Sequence, residues 1–434
     1  MNALTHKAFN SSSVIAMGAA ISQPVRSHLS VVPSVPAPVE PVEVVAEPVA
    51  DIVPAFLPAT ALIERKLLTR GVEIAIEAVE KRNSIPILSN ISLESDAAGV
   101  TIRGTDLDLE IAVFVPAAVD NHFGTTLPAH LMRDLLKKAA GSDFVSISTT
   151  SEHVAKLDFE RVDYTLQTLP VADYPDMEMG AYLNDFEMKG ADFWGMLDGT
   201  MDAISKEETR YYLNGIYLHV LDKGNRRTIV ATATDGHRLY SQEVELPFGA
   251  DCMTGVIIPS KMVDVLHKLM KGKSCPETVK IGVNLSKIRV SFTDIVITSK
   301  LIDGTFPDYQ RVVPQHNSKP AKVSAKAMIE AVESVSLIST ERGRAVKLSF
   351  DEGHGFCLLT VNNPDSGTAE MSVPCQFTGD CMEIGFNARY LIAALKDASI
   401  NGDDVTIMLE DSGSPSLITS DRENWLSVIM PMRV

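Results

Sequence analysis

Leu169-Pro170-Val171-Ala172-Asp173-Tyr174-Pro175 and Asp303-Gly304-Thr305-Phe306-Pro307-Asp308-Tyr309 are two versions of one phrase. They lie about 130 residues apart, and that period divides the chain. Each places prolines and turn residues after a run of strand-like sequence, where a compact unit ends. Outward from them, three units share one internal order. Each opens with an amphipathic helix, expected over 69–80, 193–204 and 327–335. In the first, Val72, Ala75, Ile76 and Val79 fall at helical spacing. A strand follows at Ile91-Ser92-Leu93, Gly215-Ile216-Tyr217-Leu218 and Val346-Lys347-Leu348-Ser349-Phe350, in the two-residue period of a half-buried strand.

The next strand ends in a polar corner: Gly104-Thr105-Asp106, Ala233-Thr234-Asp235 and Val361-Asn362-Asn363. Asp and Asn suit a corner because they hydrogen-bond their own backbone. A second helix is expected over 131–138, 262–270 and 389–396, entered through Leu127-Pro128-Ala129, Ile258-Pro259-Ser260 and Gly385-Phe386-Asn387. Two helices among a majority of antiparallel strands make each unit an α+β domain with its helices on one face. The expected division is an extension over 1–61 and domains over 62–182, 183–315 and 316–434.

Composition bounds the function. At 434 residues the chain has material for about three domains. Lys and Arg total 39 against 56 Asp and Glu, a formal charge of −17. That excludes a protein basic over its whole surface, but leaves room for a basic stripe on an acidic body. Five cysteines without a C-x-x-C pair argue against a disulfide framework or structural zinc. No apolar run approaches the ~18 residues of a membrane span, so the expectation is a cytoplasmic chain with no membrane partner. Residues 31–58 are nearly all Val, Pro, Ala and Glu, with Pro33, Pro36, Pro38, Pro41, Pro48, Pro54 and Pro58. Such density removes backbone donors and favours an extended linker. Residues 1–30 lack Asp and Glu and carry Lys7 and Arg26, which leaves a disordered tail and a cleaved targeting peptide both open.

Enzyme motifs are not met. Gly272-Lys273-Ser274 has His267 where a phosphate loop needs its first glycine. Gly353-His354-Gly355 has Leu358 where a dinucleotide loop needs its third. Asp235, His237 and Arg238 form the best catalytic candidate, but their spacing on a turn suits local hydrogen bonds. No cofactor, metal or catalytic residue is expected.

The phrases Asn83-Ser84-Ile85-Pro86-Ile87-Leu88, Arg210-Tyr211-Tyr212-Leu213-Asn214-Gly215, Ala233-Thr234-Asp235-Gly236-His237-Arg238-Leu239, Phe306-Pro307-Asp308-Tyr309 and Met430-Pro431-Met432-Arg433-Val434 resemble the bacterial β sliding clamps, ring-shaped processivity factors of the replicative DNA polymerase. The likeness runs in order along 62–434, and the Pro/Val extension departs from it. It implies three repeated DNA-clamp domains and a head-to-tail homodimer, a ring of pseudo-sixfold symmetry around duplex DNA. Twelve helices side by side at ~8–10 Å would close a circle of about 100–120 Å. Less a helix width of about 10 Å, the hole is roughly 20–30 Å across, enough for a duplex and water.

The second helices carry Arg133, Lys137 and Lys138, then Lys261, Lys268, Lys271 and Lys273, with a weaker third set, Arg389 and Lys396. Lys206 and Arg210 follow the opening helix of the second unit. A lone lysine is usually a solvated helix face; the clustering favours a cationic lining. By resemblance Arg82, Arg210, Tyr211 and Tyr212 match positions that touch DNA. The resemblance also implies a peptide pocket at Leu213, Thr234, His237, Arg238, Leu239, Pro307, Arg311, Val312, Val428, Met430, Pro431 and Met432. It implies a dimer seam at Tyr164 and Leu166 against Leu337 and Ile338. Implied partners are double-stranded DNA, a second copy, the replicative polymerase, an ATP-driven clamp loader, and translesion and mismatch-repair proteins carrying short linear motifs. A clamp-shaped hub for repair, plasmid or viral replication would have the same pocket, and stands as the alternative.

Overall fold

The computed structural model describes residues 59–139, 143–224, 226–339, 345–422 and 424–434. The expected extension therefore lies outside the described residues, except for its last three. Those three belong to the fold: the first strand starts at Ala59, with Ala59, Ala61 and Ile63 buried on its inner side. Small alanines beside a proline-rich stretch carry little strand signal.

Among the described residues each domain has eight strands and two helices in one order. The first runs β1 (Ala59–Glu64), α1 (Arg65–Ala75), β2 (Asn90–Ser95), β3 (Gly99–Thr105), β4 (Leu109–Asp120), β5 (Gly124–Pro128), α2 (Ala129–Lys138), β6 (Phe144–Ser151), β7 (Val154–Asp158) and β8 (Asp163–Gln167). The second runs β9 (Asn184–Lys189), α3 (Gly190–Asp198), β10 (Gly215–Asp222), β11 (Arg227–Thr234), β12 (Arg238–Glu245), β13 (Val256–Pro259), α4 (Ser260–Leu269), β14 (Thr278–Val283), β15 (Lys287–Phe292) and β16 (Ile295–Lys300). The third runs β17 (Lys319–Ser324), α5 (Ala325–Val335), β18 (Ala345–Phe350), β19 (Phe356–Asn363), β20 (Gly367–Phe377), β21 (Met382–Asn387), α6 (Ala388–Ala398), β22 (Asp404–Leu409), β23 (Ser416–Ser420) and β24 (Trp425–Ile429). Each domain thus opens with a strand, not with the helix the sequence suggests. The helix expected to run to residue 204 stops at Asp198, where Gly199 and a buried Thr200 break it.

The two helices of each domain pack together on the sheets: α1 on α2, α3 on α4, α5 on α6. Buried Leu68 and Val72 of α1 and Met132 and Leu136 of α2 point into a core that also takes Ile102, Ile111 and Val113. The polar corners close as their composition requires. Asp106 Oδ1 accepts from the backbone N–H of Asp108 and Leu109, and Asp235 Oδ1 from those of His237 and Arg238. Gly236 sits there at φ +87°, beside the Arg210 guanidinium, so a side chain would be both strained and obstructed.

Domains are joined by strand pairing. Leu109–Val113 at the start of β4 pairs antiparallel with Ile295–Ser299 of β16, fusing the first and second domains into one sheet. Arg238–Gln242 at the start of β12 pairs in the same way with Trp425–Ile429 of β24, fusing the second and third. Behind the second junction the buried Trp425 Nε1 donates to Gly199 O at 2.9 Å. Close by, Asp397 of α6 is buried toward Asp202 and Asp198, with Arg422 and Arg238 opposing. Burial first, and the two carboxylates second, push Asp397 up to about 7. Its Oδ2 has no hydrogen-bond partner among the described residues.

Trp425→Phe leaves the Gly199 carbonyl unpaired, and urea unfolding is expected to show a loss of about 1–3 kcal/mol. Asp397 makes a pH prediction. Its folded value lies above the unfolded one, so its contribution is fully present near pH 4 and lost as pH rises through about 7. Asp397→Asn should flatten that decline and raise stability at pH 8; an unchanged profile from pH 5 to 8 would remove Asp397 as its source.

Candidate functional site

The expected lining residues sit on helix ends and the turns beside them. Lys137 and Lys138 fall in the last turn of α2, Lys268 in that of α4 and Lys396 in that of α6, where cations suit the helix dipole. Most of these charges are already engaged. Lys137 Nζ lies 2.8 Å from Glu73, and Lys268 Nζ 2.5 Å from Glu77 across the first junction. Lys261 pairs with Asp106 across the same junction, and Arg133 binds Asp134 at 2.8 Å. Arg210 Nε donates to Glu207 at 2.7 Å. Arg82, Lys138, Lys206 and Lys271 form no ion pair among the described residues. Tyr211 is exposed and meets Tyr212 edge-on at 5.9 Å. The region is therefore less positive than its lysine count suggests.

A second feature lies where the second and third domains meet. Leu213, Leu239 and Val428 are buried together with Ile257, Phe306 and Tyr309 in a cluster separate from the main core. Leu239 and Val428 face each other across the β12–β24 pair, so the junction itself builds the cluster floor. Tyr212, placed by sequence among the DNA contacts, packs on this cluster. Thr234 closes the corner, donating to Arg238 O at 2.7 Å. Arg238 reaches Asp235 at 3.2 Å and lies 4.7 Å over the Tyr390 ring of the third domain; His237 stacks on the same ring. Asp235, His237 and Arg238 are thus occupied in a corner and an interdomain contact.

The last residues are tied to the β12 corner and to β21. Met430 N–H donates to His237 O and Met432 N–H to Gly385 O, both at 2.8 Å. A Cβ on Gly385 would meet Val434 at 2.3 Å, so only glycine lets the terminal segment lie flat on β21. Met430, Pro431 and Met432 are half-buried, while Pro307, Arg311 and Val312 are exposed on the interdomain segment, Arg311 held 2.7 Å from Asp308. Of the expected pocket positions, Leu213, Leu239 and Val428 thus share one cluster, Thr234, His237 and Arg238 form the adjoining corner, and Met430 is tied to that corner through His237.

Sequence reasoning missed the aromatic column under this place. Tyr217 stacks on Phe306 at 4.8 Å and on His219 at 4.4 Å, and Tyr309 Oη lies 3.1 Å from His219 Nε2. Burial pushes His219 down to about 4, so it stays neutral. The available signal was Tyr217 and His219 two residues apart on one strand, hence on one face. The seam positions lie elsewhere. Tyr164 and Leu166 are half-buried on β8, a sheet edge; Leu337, after α5, is 85% exposed.

Among the described residues no group of three or more His, Cys, Asp or Glu could hold a metal, and no helix is long and apolar enough to cross a membrane.

Family models of the DNA polymerase III beta subunit match almost the whole described chain: the N-terminal domain over 60–178, the central domain over 187–308 and the C-terminal domain over 310–433. The beta sliding clamp of Caulobacter vibrioides is 37% identical over 374 residues, covering 86% of this chain and 99% of that protein. The beta sliding clamp of Pseudomonas aeruginosa is 30% identical over 376 residues, with the same coverage. Among solved structures, the DnaN sliding clamp of Bartonella birtlesii is similar with a TM-score of 0.83 and 38% identity, over 87% of this chain and all of that one.

Proposed function

The chain belongs to the DNA polymerase III beta-subunit family, the bacterial sliding clamps, and from that membership we propose that two copies close head to tail into a ring around duplex DNA. Its function is that of a processivity factor: a non-catalytic subunit that keeps the replicative DNA polymerase on its template. The family models it matches are those of the replicative enzyme's own subunit, which favours this role over a dedicated repair, plasmid or viral hub.

One observation carries the ring. In both internal junctions the start of a domain's fourth strand pairs with the last strand of the next domain. By the same rule the start of β20, Gly367–Met371, should take the last strand of a first domain. In β20 those residues are largely exposed, and β8 pairs with β7 alone among the described residues and has an exposed alternation. Exposed edges are covered in native proteins, and a second copy supplies the missing strand at each end. Leu337 and Ile338, beside Asn363 whose side chain donates to Ile338 O at 2.6 Å, flank that edge and take part in the seam.

Six domains so joined present their helix pairs to the hole, with Arg82, Arg133, Lys138, Lys206, Lys271 and Tyr211 among the groups near the duplex. Grip is mechanical, so strong phosphate contacts are not required and would slow sliding. The surface above the apolar cluster, with exposed Pro307, Arg311 and Val312 and half-buried Met430, Pro431 and Met432, receives short linear motifs from polymerase, ATP-driven loader and repair proteins. Methionine flexibility suits a slot with several occupants. Such work belongs in the cytoplasm, at the chromosome.

On closed circular duplex the protein should remain bound at salt that releases it from linear duplex. Leu337→Asp with Ile338→Asp should sediment as a monomer and lose that retention. Equal retention on circles and lines contradicts encirclement. Removing Met432-Arg433-Val434 should weaken binding of a polymerase-derived peptide at least about tenfold, the scale of one hot-spot contact, while the dimer persists. Unchanged peptide affinity contradicts the slot.

A further inference from the structure

The ninth residue of every first helix is a carboxylate: Glu73 in α1, Asp198 in α3, Glu333 in α5. The ninth residue of every second helix is a lysine: Lys137 in α2, Lys268 in α4, Lys396 in α6. In the first and third domains the two positions pair directly, Lys137 with Glu73 at 2.8 Å and Lys396 with Glu333 at 3.6 Å. In the second domain Asp198 is taken by His267 at 3.0 Å, and Lys268 turns to Glu77 of the preceding domain at 2.5 Å. Glu77 lies four residues after Glu73, in the 3-10 turn Ile76–Ala78 that continues α1. So each of the three repeated lysines is held by a carboxylate from a first helix or the turn that continues it, even where the local partner is lost.

These pairs lie in water. Lys137, Lys268 and Lys396 keep 54%, 63% and 60% of their side-chain surface, and Glu73, Glu77 and Glu333 keep 45%, 33% and 54%. Ion pairs this open contribute little to stability and exchange readily. A fold needing only helix packing has no use for a threefold repeat of such pairs. A surface that must meet phosphates without holding them does.

We propose that Glu73, Glu77 and Glu333 are internal competitors of the DNA phosphates, which occupy Lys137, Lys268 and Lys396 and so set the strength of the grip on duplex. A lysine passing from carboxylate to phosphate exchanges one anionic oxygen partner for another. The change in free energy along the DNA is then smaller than for a bare lysine, and the ring moves over a smoother surface. The inference rests on the reading of these helices as the lining of the hole.

The test uses the full-length chain carrying Glu73→Gln, Glu77→Gln and Glu333→Gln together. Binding to a short linear duplex is measured by anisotropy from 50 to 300 mM salt. Freed lysines each add up to about 0.9 to the slope of log affinity against log salt, so a steeper slope by about 2–5 per ring and at least tenfold tighter binding at low salt are expected. Slower run-off from linear DNA should accompany it. A triple variant that binds with unchanged affinity and slope, or that only melts earlier, overturns the inference and leaves the carboxylates as helix staples. Lys137→Glu, Lys268→Glu and Lys396→Glu separate the two readings. If this variant binds duplex as well as the unsubstituted chain, the helices do not meet DNA, and the lining fails with the inference. If it binds more weakly while the glutamine variant is unchanged, the lining stands and the competition alone is wrong.

Discussion

Antiparallel pairing of one domain's strand with the last strand of the next is the constraint on which this molecule depends. β4 with β16, and β12 with β24, turn three domains into two continuous sheets. Hydrogen bonds between strands are directional, so each junction fixes an angle as well as a contact. The two junctions use the same pairing, five residues of one domain's fourth strand against the last strand of the next. The same contact builds the apolar cluster, since Leu239 and Val428 meet across the β12–β24 pair. Helix placement follows as well: Lys268 reaches Glu77, and Lys261 reaches Asp106, only because the first two domains are locked in register.

The architecture was legible because each repeat spends its most recognisable residues on turns. Asp106, Asp235 and Asn363 mark the corners, and each accepts backbone N–H bonds at its corner. The strands that open each domain were not legible. β1 offers alanines, β9 has polar Asn184 and Asp185 at its start, and β17 contains Pro320, which cannot donate to a ladder. β1 and β17 are specified by neighbours on both sides, and the edge strand β9 by β14, rather than by their own propensity.

The candidate sites divide along the same line. Leu213, Leu239 and Val428, carried in distinctive phrases, share one buried cluster, while Met432 is hydrogen-bonded to Gly385 of β21. The column of Tyr217, His219, Phe306 and Tyr309 was out of reach, because its members come from two strand positions and a linker about ninety residues away. Charge was legible as composition but not as field. Lys137, Lys268 and Arg133 read as free cations in sequence and are paired in space, since a partner such as Glu77 for Lys268 is fixed only by tertiary contact.

Sharing sheets across the junctions also has a consequence for what can be cut apart. The central domain keeps its neighbours' strands as the outer members of its own ladders, β4 beyond β16 and β24 beyond β12. Excised at the linkers, it would carry two raw, twisted borders, β16 with Ile295, Val296 and Ile297 and β12 with Leu239 and Tyr240, each a template for stray β-strands. The three domains are therefore units of geometry but not of separate packing: a fragment cut at the linkers bares strand borders that the whole chain covers.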